Sequence, residues 1–339
     1  MQILYLARWF PFPADNGARI RTNALLRALA ERHSVALISF ADQAPSSAGL
    51  ADAQSVCSEV TTIPYAAFAP QSWRARVAFL SPQPRSVVST HSPAFADAVK
   101  ESVARRRPDI VIAGEIDMVP YAQRVPGAPR LLEELELGLR FSAPPNASGS
   151  WQKSLSLEKQ RRYVRAFLPD FDAVTVVSAG EEALLRKVAP GYPGSVAVVP
   201  NGVTLGPAVE AGPPVADRLL FPGAVTYHAN LDAVRYFADS ILPLVRAERP
   251  GVALRVTGRT DGVALGDLAQ KVEFTGYLDT LAPLLRASWA VVVPLREGGG
   301  TRLKILEALA AGTPVVSTSK GAEGLDLEAG HDLLVADEP

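Results

Sequence analysis

The stretch Val291-Val292-Val293-Pro294-Leu295-Arg296-Glu297-Gly298-Gly299-Gly300-Thr301-Arg302-Leu303-Lys304-Ile305-Leu306-Glu307-Ala308-Leu309-Ala310-Ala311-Gly312-Thr313-Pro314-Val315-Val316-Ser317 decides the fold. It opens on an unbroken apolar run of valines and passes through three glycines. Apolar residues at helical spacing follow, then a stop at Gly312 and a second β-branched run. Strand, glycine turn, helix, glycine stop and strand make one βαβ unit. Such crossovers join parallel strands buried on both faces, which is why both strands read as continuous apolar runs.

Outward from this unit the same alternation continues. Short apolar runs, most of them rich in β-branched residues, predict strands at Ile3–Ala7, Val35–Phe40, Val60–Ile63, Asp109–Ala113, Ala173–Val177 and Val196–Val199. A second set is predicted at Leu219–Pro222, Leu254–Thr257, Val272–Thr275, Ala290–Pro294, Val315–Ser317 and Asp332–Val335. Helical spacing predicts helices over Ile20–Arg32, Pro93–Arg106, Ser154–Leu168, Glu181–Val188, Leu231–Arg246 and Arg302–Ala311. The fold class is therefore α/β with parallel sheets. Between Gly202 and Val215 the periodicity lapses into glycine and proline, the chemistry of a linker. That divides the chain into a first domain at 1–205 and a second at 206–339. The expected architecture is two Rossmann-like halves facing each other across a cleft, with ligands beyond the carboxyl ends of the strands.

Composition narrows the function. Of 339 residues, 48% are hydrophobic and 20% charged, as in ordinary folded proteins, and the net charge of −1 gives no field for nucleic acid. Cys57 is the sole cysteine, so no internal disulfide forms, in keeping with a reducing compartment. No window approaches the ~18 uncharged apolar residues of a membrane span, and the opening apolar run meets Arg8 too soon for a signal peptide. A cytoplasmic protein is expected, with peripheral contact at the inner face of a membrane as a further expectation.

The glycine turn carries the chemistry. Consecutive glycines ahead of a helix let backbone N–H groups approach an anion, and the helix start adds unpaired donors and a positive dipole end. Arg302 and Lys304 fall in the predicted first turn, where cations oppose the dipole. An anionic ligand, a diphosphate above all, accounts for them. Glu307 lies about one and a half turns further on, where its carboxylate can accept from sugar hydroxyls, both ribose hydroxyls included. The competing reading is structural: a tight loop and a solvated helical face use the same residue types.

Pro294 to Gly324, with Gly-Gly-Gly-Thr-Arg-Leu-Lys-Ile-Leu-Glu-Ala-Leu followed by Gly-Thr-Pro-Val-Val-Ser-Thr and Gly-Ala-Glu-Gly-Leu, resembles the family 4 glycosyltransferases. These are retaining enzymes of the two-domain GT-B fold. Nearly the whole chain supports the likeness, including Arg8-Trp9-Phe10-Pro11-Phe12-Pro13-Ala14-Asp15-Asn16-Gly17, Val176-Val177-Ser178, Pro200-Asn201-Gly202-Val203 and Gly223 to Asn230. The resemblance implies that Glu307 holds the donor ribose, as the second glutamate of the family's pair. The first glutamate belongs eight positions earlier, where Gly299 stands, as in a glycine-rich subgroup of the family. Backbone amides of Gly298, Gly299, Gly300 and Thr301 are the expected substitute. The family's Arg and Lys pair after the first strand of the second domain is also missing, since Phe221 to Asn230 contains neither, and Arg302 and Lys304 are expected to take that task. Arg259 is a further donor-side candidate, and Gly276 and Tyr277 supply the backbone that holds the base in this family.

Other signals are less specific. Gly17 is a donor-binding candidate: it permits close backbone approach to a donor phosphate, or to the acceptor, in the first loop, with Arg19 and Arg21 behind it. His228 sits in the donor-side loop, and Asn230 looks like the cap of the helix that follows. His91 reads as a structural residue at a helix start, and His33 and His331 as turn residues. Four histidines and one cysteine without ligand spacing give no metal site. Asp170 and Asp172 form an Asp-x-Asp that precedes its strand and so falls on the wrong side of the sheet for a metal. Glu115, Glu133 and Glu136 follow strands of the first domain and are the acceptor-side candidates. Basic clusters at Arg74 and Arg76, at Arg105 to Arg107 and at Arg161, Arg162 and Arg165, near Trp73, Phe79, Trp151 and Phe167, suit an anionic lipid surface or a solvated face. The family continues with further helices where this chain stops at Pro339, so the second domain is expected to be cut short.

The expected function is transfer of a sugar from a nucleotide-diphosphate sugar to a saccharide or lipid-linked saccharide. Retention of configuration is implied by the family. No cofactor is expected beyond the nucleotide-sugar co-substrate, and no metal. A non-catalytic nucleotide-sugar-binding protein and a sugar-nucleotide epimerase of the same fold are the alternatives.

Overall fold

The computed structural model describes residues 1–14, 16–65, 81, 83–84, 87–88, 90–133, 137, 151–203, 213–278, 280–300 and 302–339, without the side chains of 151–154 and 156. These fall into two compact units that part between Pro200 and Asn201.

The first unit is built on seven parallel strands: β1 (Gln2–Ala7), β2 (Ser34–Ala41), β3 (Glu59–Pro64), β4 (Ile110–Gly114), β5 (Arg130–Glu133), β6 (Ala173–Val176) and β7 (Ser195–Val198). Their spatial order is β3-β2-β1-β4-β5-β6-β7. Leu4 of β1 lies beside Ala36 of β2 and Val111 of β4. Alternate residues of β1 feed two different cores. Leu4 and Leu6 pack with Ile38, Phe40, Phe95 and Val111. Ile3 and Tyr5 pack with Leu26, Val35, Leu37 and Ile112. Each large side chain so buried contributes about 1.5–3 kcal/mol. Helices α1 (Gly17–Ala30), α2 (Ser47–Val56), α3 (Pro93–Arg106), α4 (Trp151–Phe167) and α5 (Ala179–Val188) belong to this unit. Three of them start on serine caps: Ser46, Ser92 and Ser178 each accept from a backbone N–H three residues on.

The second unit carries six parallel strands, β8 (Arg218–Pro222), β9 (Ala253–Thr257), β10 (Glu273–Gly276), β11 (Ala290–Val293), β12 (Val315–Ser317) and β13 (Leu334–Val335), in the order β10-β9-β8-β11-β12-β13. Phe221, Val256, Val291, Val293 and Ile305 lie in its core. The segment predicted as one helix over Leu231–Arg246 is two: α6 (His228–Tyr236) and α7 (Leu242–Glu248), joined by a π-helical turn at Phe237–Ile241. Pro243 sits in the first turn of α7, lacks an N–H and clashes with the turn before it, so the helical ladder is interrupted there. Helix α8 (Leu303–Ala310) follows the glycine turn.

In both sheets the strand order reverses beside the first strand, between β1 and β4 and between β8 and β11. At such a reversal the loops leaving the carboxyl ends diverge and open a crevice, so each unit has one place where its fold invites a ligand.

Candidate active site

In the second unit the reversal is framed by the loop after β8 and the glycine turn after β11. The Lys304 ammonium, carried on α8, donates to Asn230 Oδ1 at 2.9 Å and lies 4.1 Å from the centre of the Phe221 ring. Asn230 Nδ2 donates to the Ala224 carbonyl at 2.8 Å, which fixes the amide's orientation. Gly223 makes room for this: with φ of 148°, a Cβ there would stand 2.8 Å from both Lys304 Nζ and Asn230 Nδ2. Gly258 does the same for the backbone, since its Cβ would come within 2.5 Å of Ala224 N. The Lys304 ammonium thus reaches the Phe221–Asn230 loop from another element.

Asn230 does not cap its helix. The helix begins at His228 with Tyr227 at the cap position, and Asn230 lies inside the first turn, where its side chain is committed to Lys304 and Ala224.

The glycine turn is shaped by backbone conformation. Gly298 and Gly300 have φ of 97° and 81°, which side chains other than glycine rarely adopt. A Cβ on Gly298 would also meet Tyr227 Oη at 2.9 Å and Ala229 Cβ at 3.1 Å. Arg302 stands ahead of α8, at its cap position, rather than in its first turn. Its buried guanidinium folds back onto the turn and donates to the carbonyls of Gly299 and Gly300, the latter at 2.9 Å. In a trans peptide the N–H opposes the carbonyl, so the bond to the Gly299 carbonyl turns the Gly300 N–H away from the guanidinium. Two contacts tie the turn to α6: Arg296 with Asp232, at 2.5 and 3.1 Å, and His228 Nε2 with Glu297 Oε1, at 3.5 Å.

The electrostatics suit an anion. Burial pushes the Lys304 ammonium down to about 7, assisted by the positive charge of Arg302 and opposed by Glu307. Burial raises the Glu307 carboxyl, with Lys304 pulling the other way. Lys304 and Glu307 are three apart on α8 and share a face. Gly276, with φ of 75°, ends β10 and accepts from Gly258 N at 2.8 Å. Tyr277 is exposed beside it, with the Arg259 guanidinium 5.7 Å from its ring. These residues stand at the carboxyl ends of β10, β9, β8 and β11 in turn. Thr301 lies outside the described residues.

In the first unit Gly17 is the exposed first residue of α1, capped by Asn16. Glu133 is buried against Arg21, whose Nη2 and Nε lie 2.6 and 2.8 Å from Oε1, while Tyr5 donates to Oε2 at 3.4 Å. Burial raises its carboxyl and Arg21 opposes the rise. Arg21 also donates to the Val199 carbonyl at 2.9 Å. Glu115 follows β4 with φ of 72° and ψ of 159°, a conformation that is essentially glycine's. Glu136, Trp73, Arg74, Arg76 and Phe79 lie outside the described residues. Asp172 accepts from Arg130 N and Asp170 from Gln123, both at the amino end of β6. Arg105 and Arg106 pair with Glu59, and Arg162 with Glu158. Phe167 is buried between Tyr163 and Phe171. Among the described residues no three of His, Cys, Asp and Glu gather as a metal site, and no helix is long and apolar enough to cross a membrane.

Comparison with known proteins agrees with this layout. Residues 16–202 match the family described as glycosyl transferase 4-like domain, and residues 216–339 match glycosyl transferases group 1. An uncharacterized 44.6 kDa protein in the cps region of Klebsiella pneumoniae is 25% identical over 131 residues, 36% of this chain. The match spans about a third of that relative's length, 34%. Among solved structures, sucrose-phosphate synthase of Thermosynechococcus elongatus superposes with a TM-score of 0.62 at 20% identity, over 95% of this chain and 82% of that one. The Anabaena protein HepE, solved with UDP and glucose, gives 0.63 at 14% identity, over 100% and 86%. With two Rossmann-like units and a family match over each, the chain belongs to the group 1 and 4-like glycosyltransferases and is a glycosyltransferase of the GT-B fold.

Proposed function

We propose that the chain transfers a hexosyl group from a nucleoside-diphosphate sugar, with retention of configuration and without a metal, to a saccharide or lipid-linked saccharide. The observation that carries this reading is Lys304, whose ammonium is held at the carboxyl end of β8 by Asn230 and admitted there by Gly223. As the glycosidic bond breaks, negative charge grows on the leaving diphosphate. Lys304 and the N–H groups of Gly298 to Thr301 stabilise that charge, and a donor already held in place, as Lys304 is by Asn230, needs no reorganisation at the moment of reaction. Arg302 adds its positive charge and sets the turn. Glu307 takes the ribose hydroxyls, and the backbone at Gly276 and Tyr277 takes the base, with Arg259 and His228 flanking. HepE was solved with UDP, which supports a uridine or similar donor here. The first unit serves the acceptor, with Glu115 and Glu136 on that side and Glu133 supporting it from beneath, while Gly17 is offered to the donor. The work is done in the cytoplasm, with peripheral contact at the inner face of a membrane.

Calorimetry with UDP and GDP in EDTA tests the metal-free donor site. Binding of at least one nucleotide without added metal is expected. Binding that appears only with Mg²⁺ or Mn²⁺ overturns the electrostatic assignment.

A further inference from the structure

The first unit carries a cavity that the transfer reaction leaves unused. It measures about 240 Å³ and lies between α4 and α5, lined by Glu158, Arg161 and Arg165 of α4 and by Leu184, Lys187 and Val188 of α5. Spacings of three or four residues put 158, 161 and 165 on one face of α4, and 184 with 187 and 188 on one face of α5. Helix α4 leads into β6 and α5 into β7. The last turns of both helices, with Arg165, Lys187 and Val188, therefore stand at the amino edge of the parallel sheet. The loops that frame a ligand crevice leave from the opposite, carboxyl edge.

The floor of the cavity is apolar, since Val188 belongs to the core and Leu184 packs against it. Its walls are cationic. Arg165 is held in place by its Nε, which donates to the Val188 carbonyl at 2.6 Å. That bond answers the negative end of the α5 dipole, which would otherwise oppose an anion. It leaves the two Nη groups of Arg165 without a hydrogen bond or ion pair among the described residues, and the Lys187 ammonium has none among them either. Arg161 adds a third positive charge and has further contacts of its own. Glu158 is the opposing carboxylate, and it accepts from Arg162 at 3.2 Å, outside the lining. Beside the cavity, Arg186 and Glu182 pair with each other.

Three cations around one space repel one another, and a ligand that neutralises them is attracted there. A carboxylate brings one charge and two oxygens. A phosphate monoester brings up to two charges and three terminal oxygens, enough to accept from Arg165, Lys187 and Arg161 together. The volume lies below the roughly 300–1,000 Å³ of pockets for drug-sized ligands, which suits a phosphoryl group on a short stem rather than a nucleotide. We infer that Arg161, Arg165 and Lys187, over the floor of Leu184 and Val188, form a binding site for a phosphate monoester group. The site is separate from the nucleotide edge of the second unit and independent of the transferase reading. The group can be carried by a small soluble molecule or by a lipid headgroup, and both present the same oxygens to the cavity.

The test uses the whole chain with UDP in excess, so that the nucleotide edge is occupied. One arm titrates glycerol 3-phosphate by calorimetry, with glycerol as the neutral control. The other measures flotation with vesicles of phosphatidylcholine containing phosphatidic acid, against phosphatidylcholine alone. Binding in at least one arm is expected, and the arm in which it occurs identifies the carrier. Lys187→Gln and Arg161→Gln, both at exposed positions, should each weaken that binding about tenfold, the scale of one charge-assisted hydrogen bond, and leave UDP affinity unchanged. Lys304→Met should leave it unaltered. Absence of binding in both arms overturns the site, as does equal binding of glycerol or of pure phosphatidylcholine. Wild-type affinity in the folded Lys187→Gln protein overturns it too. Binding that is lost through Lys304→Met instead places the phosphate at the nucleotide edge and removes it from the cavity.

Discussion

The two sheets share one topology, yet the edges where their order reverses are furnished in opposite ways. The second unit lines its edge with glycines at 223, 258, 298 and 300, and adds a cation whose ammonium is buried. The first unit lines its edge with charged side chains of both signs around a stacked arginine. Backbone N–H groups are donors of fixed position, and glycine lets an anion reach them. Guanidinium and carboxylate groups together both donate and accept, as hydroxyls require. On the proposed reading the second unit's edge meets a diphosphate through backbone N–H groups and one cation, whereas the first unit's edge presents side chains.

The largest effect should come from removing the buried cation. Lys304→Met keeps the stem and removes the charge, so turnover should fall about 100-fold or more, as when one preorganised donor is lost. Nucleoside-diphosphate affinity should fall less, by about 1–3 kcal/mol, because the charge it meets is smaller before the bond breaks. Gly223→Val should act in the same direction without touching Lys304, since its side chain would claim the ammonium's space. Steady-state rates and calorimetry on both variants check this. Wild-type turnover in folded Lys304→Met would remove the cation from the chemistry.

Titration should separate ligand from fold. In the free protein Lys304 loses its proton near 7, far below its ordinary 10.5. Between those values the unfolded chain carries a proton that the folded chain has released, so this group makes stability rise with pH. Diphosphate affinity should do the reverse, because only the charged ammonium attracts it, and binding near pH 7 should take up a proton. Calorimetry in buffers of different ionisation enthalpy reads that uptake, and thermal unfolding from pH 7 to 10 reads the stability. Lys304→Met should flatten both dependences.

The strand and helix alternation was legible in the sequence because buried parallel strands and amphipathic helices impose different apolar periods. The Gly298–Gly300 turn and Lys304 were legible for a similar reason: their spacing within one βαβ unit is local. What chain spacing concealed was where side chains turn. Arg302 is next to the glycines in sequence and uses that closeness to grip their carbonyls. Asn230 reads as a cap but serves Lys304, 74 residues away. Arg8 and Asp117 come together only because β1 and β4 are neighbours in the sheet. The Pro243 interruption was visible as a residue, but the apolar pattern runs straight through it.

A smaller effect is expected from Glu307→Ala. Its carboxylate is assigned to ribose, so UDP affinity should drop about tenfold, the worth of one or two hydrogen bonds, while pyrophosphate affinity is kept. Competition of pyrophosphate against UDP in the variant measures both. Equal loss for the two ligands would place Glu307 under the diphosphate instead, as the partner that keeps Lys304 charged.

The smallest effect concerns Glu115, and it has two readouts of opposite sign. Its backbone at φ of 72° and ψ of 159° is costly for any residue with a Cβ, by about 1–3 kcal/mol. The conformation is held because the Glu115 N–H donates to the Glu133 carbonyl at 3.1 Å and its own carbonyl accepts from Met118. Glu115→Gly removes the strain but adds freedom to the unfolded chain worth about 0.5–1 kcal/mol. The net should be a gain of about 1 kcal/mol, read as a higher denaturant midpoint at unchanged slope. If the carboxylate faces the acceptor, the same variant should lose transfer several-fold while hydrolysis of the donor by water persists. Glu115→Gln should then lose transfer without gaining stability, which separates the carboxylate from the backbone. A glycine variant that gains stability and keeps full transfer would assign the strain to folding geometry alone.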